Sequence, residues 1–167
     1  MLVPSKNRQY FHEFALPNFI KILPSAARVI DLGKSQSWGD YYRELFKNFT
    51  YLTVDIQEKV NPDICENFEE TKIYPETIDG VIAMGIWEQT PNPFKLVESI
   101  EKVLRPGGIL LAGITSVGYP VYSTDLTRFT PKGGLNLLKN FTILESETIM
   151  VDDVPEYLFY IARKNGK

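Results

Sequence analysis

Two residues with the spacing of a nucleotide-binding site lie near the start of the chain. Gly33 directly follows a short apolar run, 28–32, and a glycine there permits a sharp turn and close approach of the backbone to a ligand. Asp55 ends a second such run, 50–55. A carboxylate about 20 residues beyond a glycine turn can accept hydrogen bonds from both hydroxyls of a ribose. A plain turn and a surface aspartate are the simpler interpretations of each residue alone, and their combination favours the ribose.

Two further segments carry polar residues after apolar runs. The first, 84–89, contains Gly85, which allows a ligand near the backbone, and the polar Glu88 and Gln89. Its Trp87 is expected to lie in the core. The second, 115–128, is long for a connection without secondary structure, and such loops often carry function. It holds Tyr119, Tyr122, Asp125 and Arg128. We expect Arg128 to pair with Asp125 or Glu88 rather than to bind an anionic substrate.

The composition narrows the chemistry that these residues can do. The chain has 167 residues, one cysteine (Cys65) and one histidine (His12), which excludes an internal disulfide and argues against a cysteine- or histidine-rich metal site. His12 is the one side chain that ordinarily titrates near neutral pH, and a surface or capping role is its simpler interpretation. A net charge of −3 argues against a broad nucleic-acid surface.

The elements that must position these residues alternate between strands and helices, which predicts an α/β sheet. Strands are predicted at 28–32, 50–55, 79–84, 108–114, 141–149 and 157–163. The last two have no helical pattern between them and are predicted to pair as an antiparallel hairpin at one edge. Helices are predicted at 38–47, from Asn92 to the Pro106-Gly107-Gly108 stop, and from Thr130 onward. The second of these has a predicted apolar face of Phe94, Val97, Ile100, Val103 and Leu104.

The motifs in these elements resemble those of class I S-adenosylmethionine-dependent methyltransferases, from about residue 27 to residue 163. The segments that carry the resemblance are Val29-Ile30-Asp31-Leu32-Gly33, Tyr51-Leu52-Thr53-Val54-Asp55-Ile56, residues 79–89, Val103-Leu104-Arg105-Pro106-Gly107-Gly108, and Asp125 with Arg128-Phe129-Thr130-Pro131 and Gly134-Leu135. The chain looks most like the small bacterial type associated with glycan or small-molecule modification. The resemblance implies a Rossmann-like, doubly wound, mostly parallel sheet of seven strands, with the missing strand near residues 62–65.

The resemblance also implies a cofactor, S-adenosylmethionine, and residues to bind it. Gly33 and its neighbours would cradle the methionine part, Asp55 would bind the ribose, and Ile56 would flank the adenine. The predicted cofactor-binding residues are Asp31, Gly33, Lys34, Ser35, Ser37, Asp55, Ile56, Asn67, Met84, Gly85 and Gln89. For the base that an acceptor hydroxyl would need, Asp125 is the first candidate. Tyr122, Glu88 and His12 follow it.

The glycine turn departs from the family pattern. Ser35 and Ser37 stand where the family usually has glycines, and Lys34 brings a positive charge that would disfavour a sulfonium unless it meets the cofactor carboxylate or solvent. These changes leave a second hypothesis, a catalytically inactive methyltransferase-like binding protein. A nicotinamide-binding Rossmann domain is a third, but it does not explain the Arg105-Pro106-Gly107-Gly108 turn or the terminal hairpin.

The length fits one domain over residues 1–167, with residues 1–27 as a helical cap that Pro17 should divide. The polar amino terminus is unlike a signal peptide, and no apolar run is long enough to span a membrane, so we expect a cytoplasmic protein. The expected partner is a small-molecule or glycan acceptor. If residues 157–161 formed an exposed edge, they would offer a surface for a homodimer.

Overall fold

A seven-stranded sheet in the order β3-β2-β1-β4-β5-β7-β6 forms the centre of the computed structural model, which describes residues 5–33 and 39–166. The strands are β1 (Arg28–Leu32), β2 (Thr50–Asp55), β3 (Ile64–Cys65), β4 (Ile78–Met84), β5 (Leu104–Thr115), β6 (Phe141–Val151) and β7 (Val154–Lys164). The helices are α1 (Lys6–Tyr10), α2 (Leu16–Ile22), α3 (Gly39–Leu45), α4 (Pro93–Val103) and α5 (Pro131–Leu137). Lys34, Ser35 and Ser37 lie outside the described residues.

The sheet is parallel from β3 to β5 and antiparallel at its other end, so the predicted Rossmann-like fold is confirmed. Its inner strands are buried on both faces, which suits a parallel sheet covered by helices. The hairpin of β6 and β7 turns at Asp152 and Asp153, which both have positive φ angles. That is the conformation that a two-residue hairpin turn with the right twist requires. The predicted hairpin is therefore confirmed.

The seventh strand, β3, is only two residues long, which is why the sequence pattern missed it and only the family resemblance placed it, near residues 62–65. Asp63, the residue before β3, ties this part of the chain to β2. Its Oδ2 accepts hydrogen bonds from the backbone N–H and the hydroxyl of Thr53, both at 2.8 Å, and forms an ion pair with Arg43 at 2.8 Å. These bonds lower the pKa of Asp63 against the opposing effect of its burial. Side-chain bonds thus hold an edge strand that has too few ladder bonds of its own.

Helix α4 follows β4 and covers the sheet. Asn92 caps it by accepting a hydrogen bond from the Lys95 N–H at 3.1 Å, and Pro93 takes the first turn, as predicted. The prediction of Phe94 on its apolar face is wrong, because Phe94 is 51% exposed. Leu96 is buried on this face instead, beside the predicted Val97, Ile100 and Val103.

The amino-terminal segment is helical from Lys6 to Ile22, but Pro17 does not divide it in the predicted way. The helix widens into a π-helical turn over Phe11–Ala15, and Pro17 occupies the first turn of α2. A π turn at this place relieves the clash between a proline ring and the preceding carbonyl groups. Phe11, Ala15, Leu16 and Phe19 of this segment are buried against the sheet, so the segment belongs to the core.

Two apolar clusters lie on the two faces of the sheet, one under α4 and α5 and one under the amino-terminal segment. Strand β7 contributes to both, and β6 pairs along its outer side. Residues 157–161 are therefore interior and offer no edge for a homodimer. Within the described ranges, none of the helices combines the length and apolar character needed to cross a bilayer. The cytoplasmic location stays a prediction.

Candidate functional site

A cavity of about 290 Å³ opens at the carboxyl ends of β1, β2 and β4, the edge at which open α/β sheets bind ligands. Its lining residues are Leu32, Gly33, Val54, Asp55, Ile56, Gln57, Glu66, Asn67, Phe68, Glu69, Ile86, Gln89, Thr90, Pro91 and Leu96. We call it the first cavity. Five of the predicted cofactor residues meet in it, namely Gly33, Asp55, Ile56, Asn67 and Gln89.

Asp55 presents its carboxylate to the first cavity from the last position of β2. Its Oδ1 accepts a hydrogen bond from the Gln57 N–H at 2.7 Å, which fixes the orientation of the side chain. The next residue, Ile56, lies 68% exposed at the cavity. Asn67 lines the same cavity and caps the short 3₁₀ helix Phe68–Glu70 by accepting a hydrogen bond from the Glu69 N–H. The cavity thus combines an anchored carboxylate with an apolar side chain that a flat ligand would cover.

Gly33 lies at the point where backbone and ligand must come closest. Its φ angle of +78° is unfavourable for residues that carry a Cβ. A Cβ at this position would also lie 2.4 Å from Cγ2 of Ile86, which lines the same cavity. The Gly33 N–H donates to the Val54 carbonyl at 2.9 Å, so the turn is tied to β2. The glycine predicted from the sequence is therefore required both by its conformation and by its neighbour.

Replacing Gly33 with alanine is expected to lower the free energy of unfolding by about 2 kcal/mol, of which about half comes from the positive φ angle. Gly107→Ala is the matched control, because Gly107 has a φ angle of +77° and no atom lies within 4 Å of the place that its Cβ would take. Urea unfolding of both variants measures the difference, which is the cost of the contact with Ile86. Equal losses for the two variants would contradict the steric role of Ile86.

A second cavity, of about 220 Å³, lies between the sheet and the amino-terminal segment. Its lining residues are Asn7, Arg8, Phe11, His12, Asp31, Gly33, Tyr42, Ile82, Met84, Tyr157 and Phe159. Gly33 lines both cavities, so molecules in the two cavities would approach each other there. Asp31 and Met84, predicted to bind the cofactor, belong to this second cavity, and so does His12.

Asp31 is a carboxyl group in the floor of the second cavity. It is 7% exposed, and its Oδ2 accepts a hydrogen bond of 2.5 Å from the Tyr51 hydroxyl. Burial raises the pKa of Asp31 to about 7, although the Tyr51 hydrogen bond opposes the shift. Burial and the nearby Asp31 raise the pKa of the Tyr51 hydroxyl, so it stays protonated and continues to donate. The cavity floor therefore changes charge near neutral pH.

His12 lies half-buried on the opposite wall, on the π-helical turn. Its ring contacts Phe11, Tyr41 and Tyr42, with ring centroids 5.0, 5.9 and 6.3 Å away. Burial, and next the charge of Arg8, lower its pKa. The imidazole is therefore neutral at pH 7 and can accept a proton.

The other three predicted catalytic residues lie outside the linings of the two cavities. Asp125 accepts hydrogen bonds from the Tyr122 N–H and from Arg128 Nη2, both at 2.6 Å, so Arg128 pairs with Asp125. The Tyr122 side chain is 57% exposed. These contacts fold the 115–128 loop on itself, and two loop N–H groups, those of Leu126 and Thr127, donate to the Glu88 carbonyl.

Glu88 and Gly85 connect this loop to the second cavity. Glu88 is 5% exposed, and burial raises its pKa. A Cβ at Gly85 would lie 3.5 Å from the Tyr157 hydroxyl and 3.7 Å from Glu88 Oε1, so both groups flank the Gly85 backbone. Tyr157 lines the second cavity, and its pKa is raised by burial and by Glu88. Glu88 thus adjoins the cavity through Gly85 and Tyr157 without lining it.

Sequence reasoning missed the aromatic wall of the second cavity. Phe11, Tyr42, Tyr157 and Phe159 come from three parts of the chain, and the sequence analysis singled out none of them as a site residue. No local motif marks them, because the wall exists only once β7 lies next to β5 and the amino-terminal segment covers the sheet.

Comparison with known proteins agrees with this fold. Residues 38–112 match the family model of a methyltransferase domain, which is a little under half of the chain. None of the curated protein sequences is similar enough to match.

Solved structures share the fold over nearly the whole chain. A Methanosarcina mazei S-adenosylmethionine-dependent methyltransferase superposes with a TM-score of 0.70 at 15% identity, over 90% of this chain and 98% of that one. A Burkholderia thailandensis 1,6-didemethyltoxoflavin-N1-methyltransferase, solved with 1,6-didemethyltoxoflavin and S-adenosylhomocysteine, gives 0.68 at 20% identity, over 96% and 82%. The [4+2]-cyclase SpnF gives 0.74 at 15% identity, over 98% and 84%.

These likenesses define the fold class, that of the class I S-adenosylmethionine-dependent methyltransferases. The matched domain model and the fold support S-adenosylmethionine as the cofactor, as predicted from the sequence. The residues of the first cavity fit that molecule, because Asp55 offers a carboxylate for its ribose and Gly33 leaves no Cβ in the way. One of the similar structures is a cyclase, so this fold alone does not determine which reaction a protein catalyses.

Proposed function

We propose that this protein is an S-adenosylmethionine-dependent methyltransferase that acts on a small molecule or a glycan. The observation that carries the proposal is a pair of cavities that share Gly33. The first has the lining expected for an adenosine, and the second is covered by the amino-terminal segment. Two cavities joined at one glycine provide places for a methyl donor and a methyl acceptor side by side.

Different residues of the first cavity would bind different parts of S-adenosylmethionine. Asp55 would accept hydrogen bonds from the ribose hydroxyls, and Ile56 and Asn67 would flank the adenine. Gly33, with Met84 and Gly85, would hold the methionine part. When bound, S-adenosylmethionine supplies a methyl group that its sulfonium already activates.

The protein then has to align the acceptor and remove a proton from it. Alignment alone can contribute several kcal/mol to such a reaction. Of the four candidate bases, His12 is the one in the lining of the second cavity, and its lowered pKa keeps it able to accept a proton at pH 7. We assign the base to His12. Asp125 and Arg128 hold the loop, and Glu88 acts through Gly85 and Tyr157 as a positioning residue.

Titration calorimetry with S-adenosylhomocysteine tests the proposal directly. We expect one site per chain with micromolar to low-millimolar affinity, and transfer of labelled methyl from S-adenosylmethionine to a component of a small-molecule extract. Absence of heat and of a thermal shift at millimolar ligand would refute cofactor binding. Binding without transfer to any extract would refute the enzymatic role.

A further inference from the structure

We propose that Asn165 is a modification site, at which the chain loses ammonia spontaneously and the asparagine becomes aspartate or isoaspartate. The chain has nine asparagines, and Asn165 is the only one followed by glycine. The other eight precede arginine, leucine, phenylalanine or proline. Because Gly166 has no side chain, its backbone nitrogen can approach the amide carbon of the residue before it without hindrance. This inference does not depend on the proposed function.

The backbone at Asn165 is free to rearrange. Strand β7 ends at Lys164, and both Asn165 and Gly166 are exposed and outside regular secondary structure. Within the ranges that the structure describes, the Gly166 N–H donates no hydrogen bond. The nitrogen that must react is therefore accessible and is not held by the ladder of the sheet.

Two hydrogen bonds hold the side-chain amide of Asn165 in the folded protein. Its Oδ1 accepts from the Thr142 hydroxyl at 2.6 Å, and its Nδ2 donates to the Asn140 carbonyl at 2.7 Å. The amide must turn away from both partners before its carbon can bond to the Gly166 nitrogen. We therefore expect the folded protein to lose ammonia more slowly than the unfolded chain, which has neither bond.

The reaction needs water and no other reagent. The Gly166 backbone nitrogen forms a bond to Cγ of Asn165, and the bond from Cγ to Nδ2 breaks. Nδ2 leaves as ammonia and takes the proton of the Gly166 N–H, so a succinimide ring remains. Water then adds to one of the two ring carbonyls and opens the ring. Opening on one side gives aspartate, and opening on the other side gives isoaspartate.

The products cannot restore the contacts of the asparagine. A carboxylate has no N–H to donate to the Asn140 carbonyl, and one of its oxygens would face that carbonyl oxygen. Strand β7 runs antiparallel to β5, so Asn165 lies at the edge of the sheet opposite the first cavity. Modification should therefore loosen the end of the β6–β7 hairpin and leave the first cavity intact.

Mass spectrometry of the full chain tests the inference. The folded protein and a sample unfolded in urea are incubated at pH 8 and cut after Glu156, so that Asn165 lies in the last peptide. We expect this peptide to gain the mass of deamidation in both samples, faster in urea, and ahead of every other asparagine. A folded protein in which Asn165 stays unmodified, or in which another asparagine reacts first, would overturn the inference.

Two variants at the reacting residues separate the mechanism from its consequence. Gly166→Ala puts a side chain beside the attacking nitrogen and is expected to slow the modification strongly. An unchanged rate would exclude the succinimide route. Asn165→Asp stands in for one product, and we expect its Tm to lie about 2–4 °C below that of the unaltered protein. An unchanged Tm would contradict the loosening of the hairpin.

A matched pair of variants on β6 tests the role of the hydrogen bonds. Thr142→Val removes the hydroxyl that Oδ1 accepts from, and we expect modification of the folded protein to be about fivefold faster. Thr148→Val makes the same change on the same strand, at a residue that pairs with Leu158 and lies away from Asn165. It should leave the rate unchanged, and equal rates for the two variants would refute the protection by Thr142.

Discussion

Asp55→Ala is expected to weaken binding of S-adenosylhomocysteine by about a hundredfold, which corresponds to roughly 2.7 kcal/mol. In the proposed function the carboxylate of Asp55 accepts hydrogen bonds from both ribose hydroxyls, and hydrogen bonds to charged groups contribute about 1.5–3 kcal/mol each. Asp55→Asn keeps one carbonyl oxygen as an acceptor, so we expect an intermediate loss of about tenfold. Titration calorimetry at one pH and salt concentration gives all three affinities.

Two checks separate lost binding from lost structure. Glu58→Ala removes an exposed carboxylate three positions further on and should leave the affinity unchanged. Because Asp55 also accepts the Gln57 N–H, thermal unfolding of each variant shows whether the turn is intact. An Asp55→Ala protein that is folded and binds with unaltered affinity would show that the ribose lies elsewhere.

Asp31→Asn is expected to raise the free energy of unfolding at pH 8 by on the order of 3 kcal/mol and to leave it nearly unchanged at pH 4. The folded protein holds the Asp31 proton up to a pKa of about 7, whereas the unfolded chain loses it near 3.8. Between these values unfolding releases a proton, so stability falls as the pH rises. Asparagine does not ionise, so the variant does not lose this stability as the pH rises. Its amide oxygen can still accept a hydrogen bond from the Tyr51 hydroxyl.

Urea unfolding from pH 4 to pH 8 measures the free energy of unfolding of Asp31→Asn and of the unaltered protein. Groups that titrate equally in both proteins do not contribute to the difference between the two values. Among the described residues, Tyr42 and Tyr51 interact electrostatically with Asp31, and Arg8, His12 and Tyr157 line the same cavity; the substitution retains all of them. Glu58→Gln controls for removal of one negative charge from the surface. Parallel pH profiles for Asp31→Asn and the unaltered protein would contradict a raised pKa.

The strands could be predicted closely from the sequence because their signal is local. Runs of β-branched and apolar residues bounded by glycine or proline placed six of seven strands to within a few residues at most ends. The sequence pattern missed β3 because a strand of two residues has no periodicity. Hydrogen bonds from Thr53 to the Asp63 carboxylate hold this strand in place of a longer ladder of backbone bonds. The prediction for Phe94 is wrong because the buried face of α4 runs through Leu96, Val97, Ile100 and Val103, and Phe94 lies outside it.

A site residue could be predicted from the sequence only where its own segment also indicates what the residue does. Gly33 and Asp55 end strands, so their meeting at one edge followed from a parallel sheet. The second cavity depends on contacts between Phe11, Tyr42 and Phe159, which lie far apart in the chain. The polar pattern at Asp125 suggested a base and also predicted the pairing of Arg128 with Asp125 or Glu88, but it could not reveal that the Tyr122 N–H would donate to the same carboxylate oxygen as Arg128.

The insertion of β7 between β5 and β6 has a consequence for synthesis on the ribosome. Strand β6 pairs only with β7 in this sheet, and β5 meets β4 on one side and β7 on the other. Until residues 154–164 have left the exit tunnel, a nascent chain therefore exposes the apolar edge of β5 and holds β6 without a partner. Unpaired strand edges are sites of aggregation, so we expect the nascent chain to be most prone to aggregation in the interval between translation of β5 and of β7.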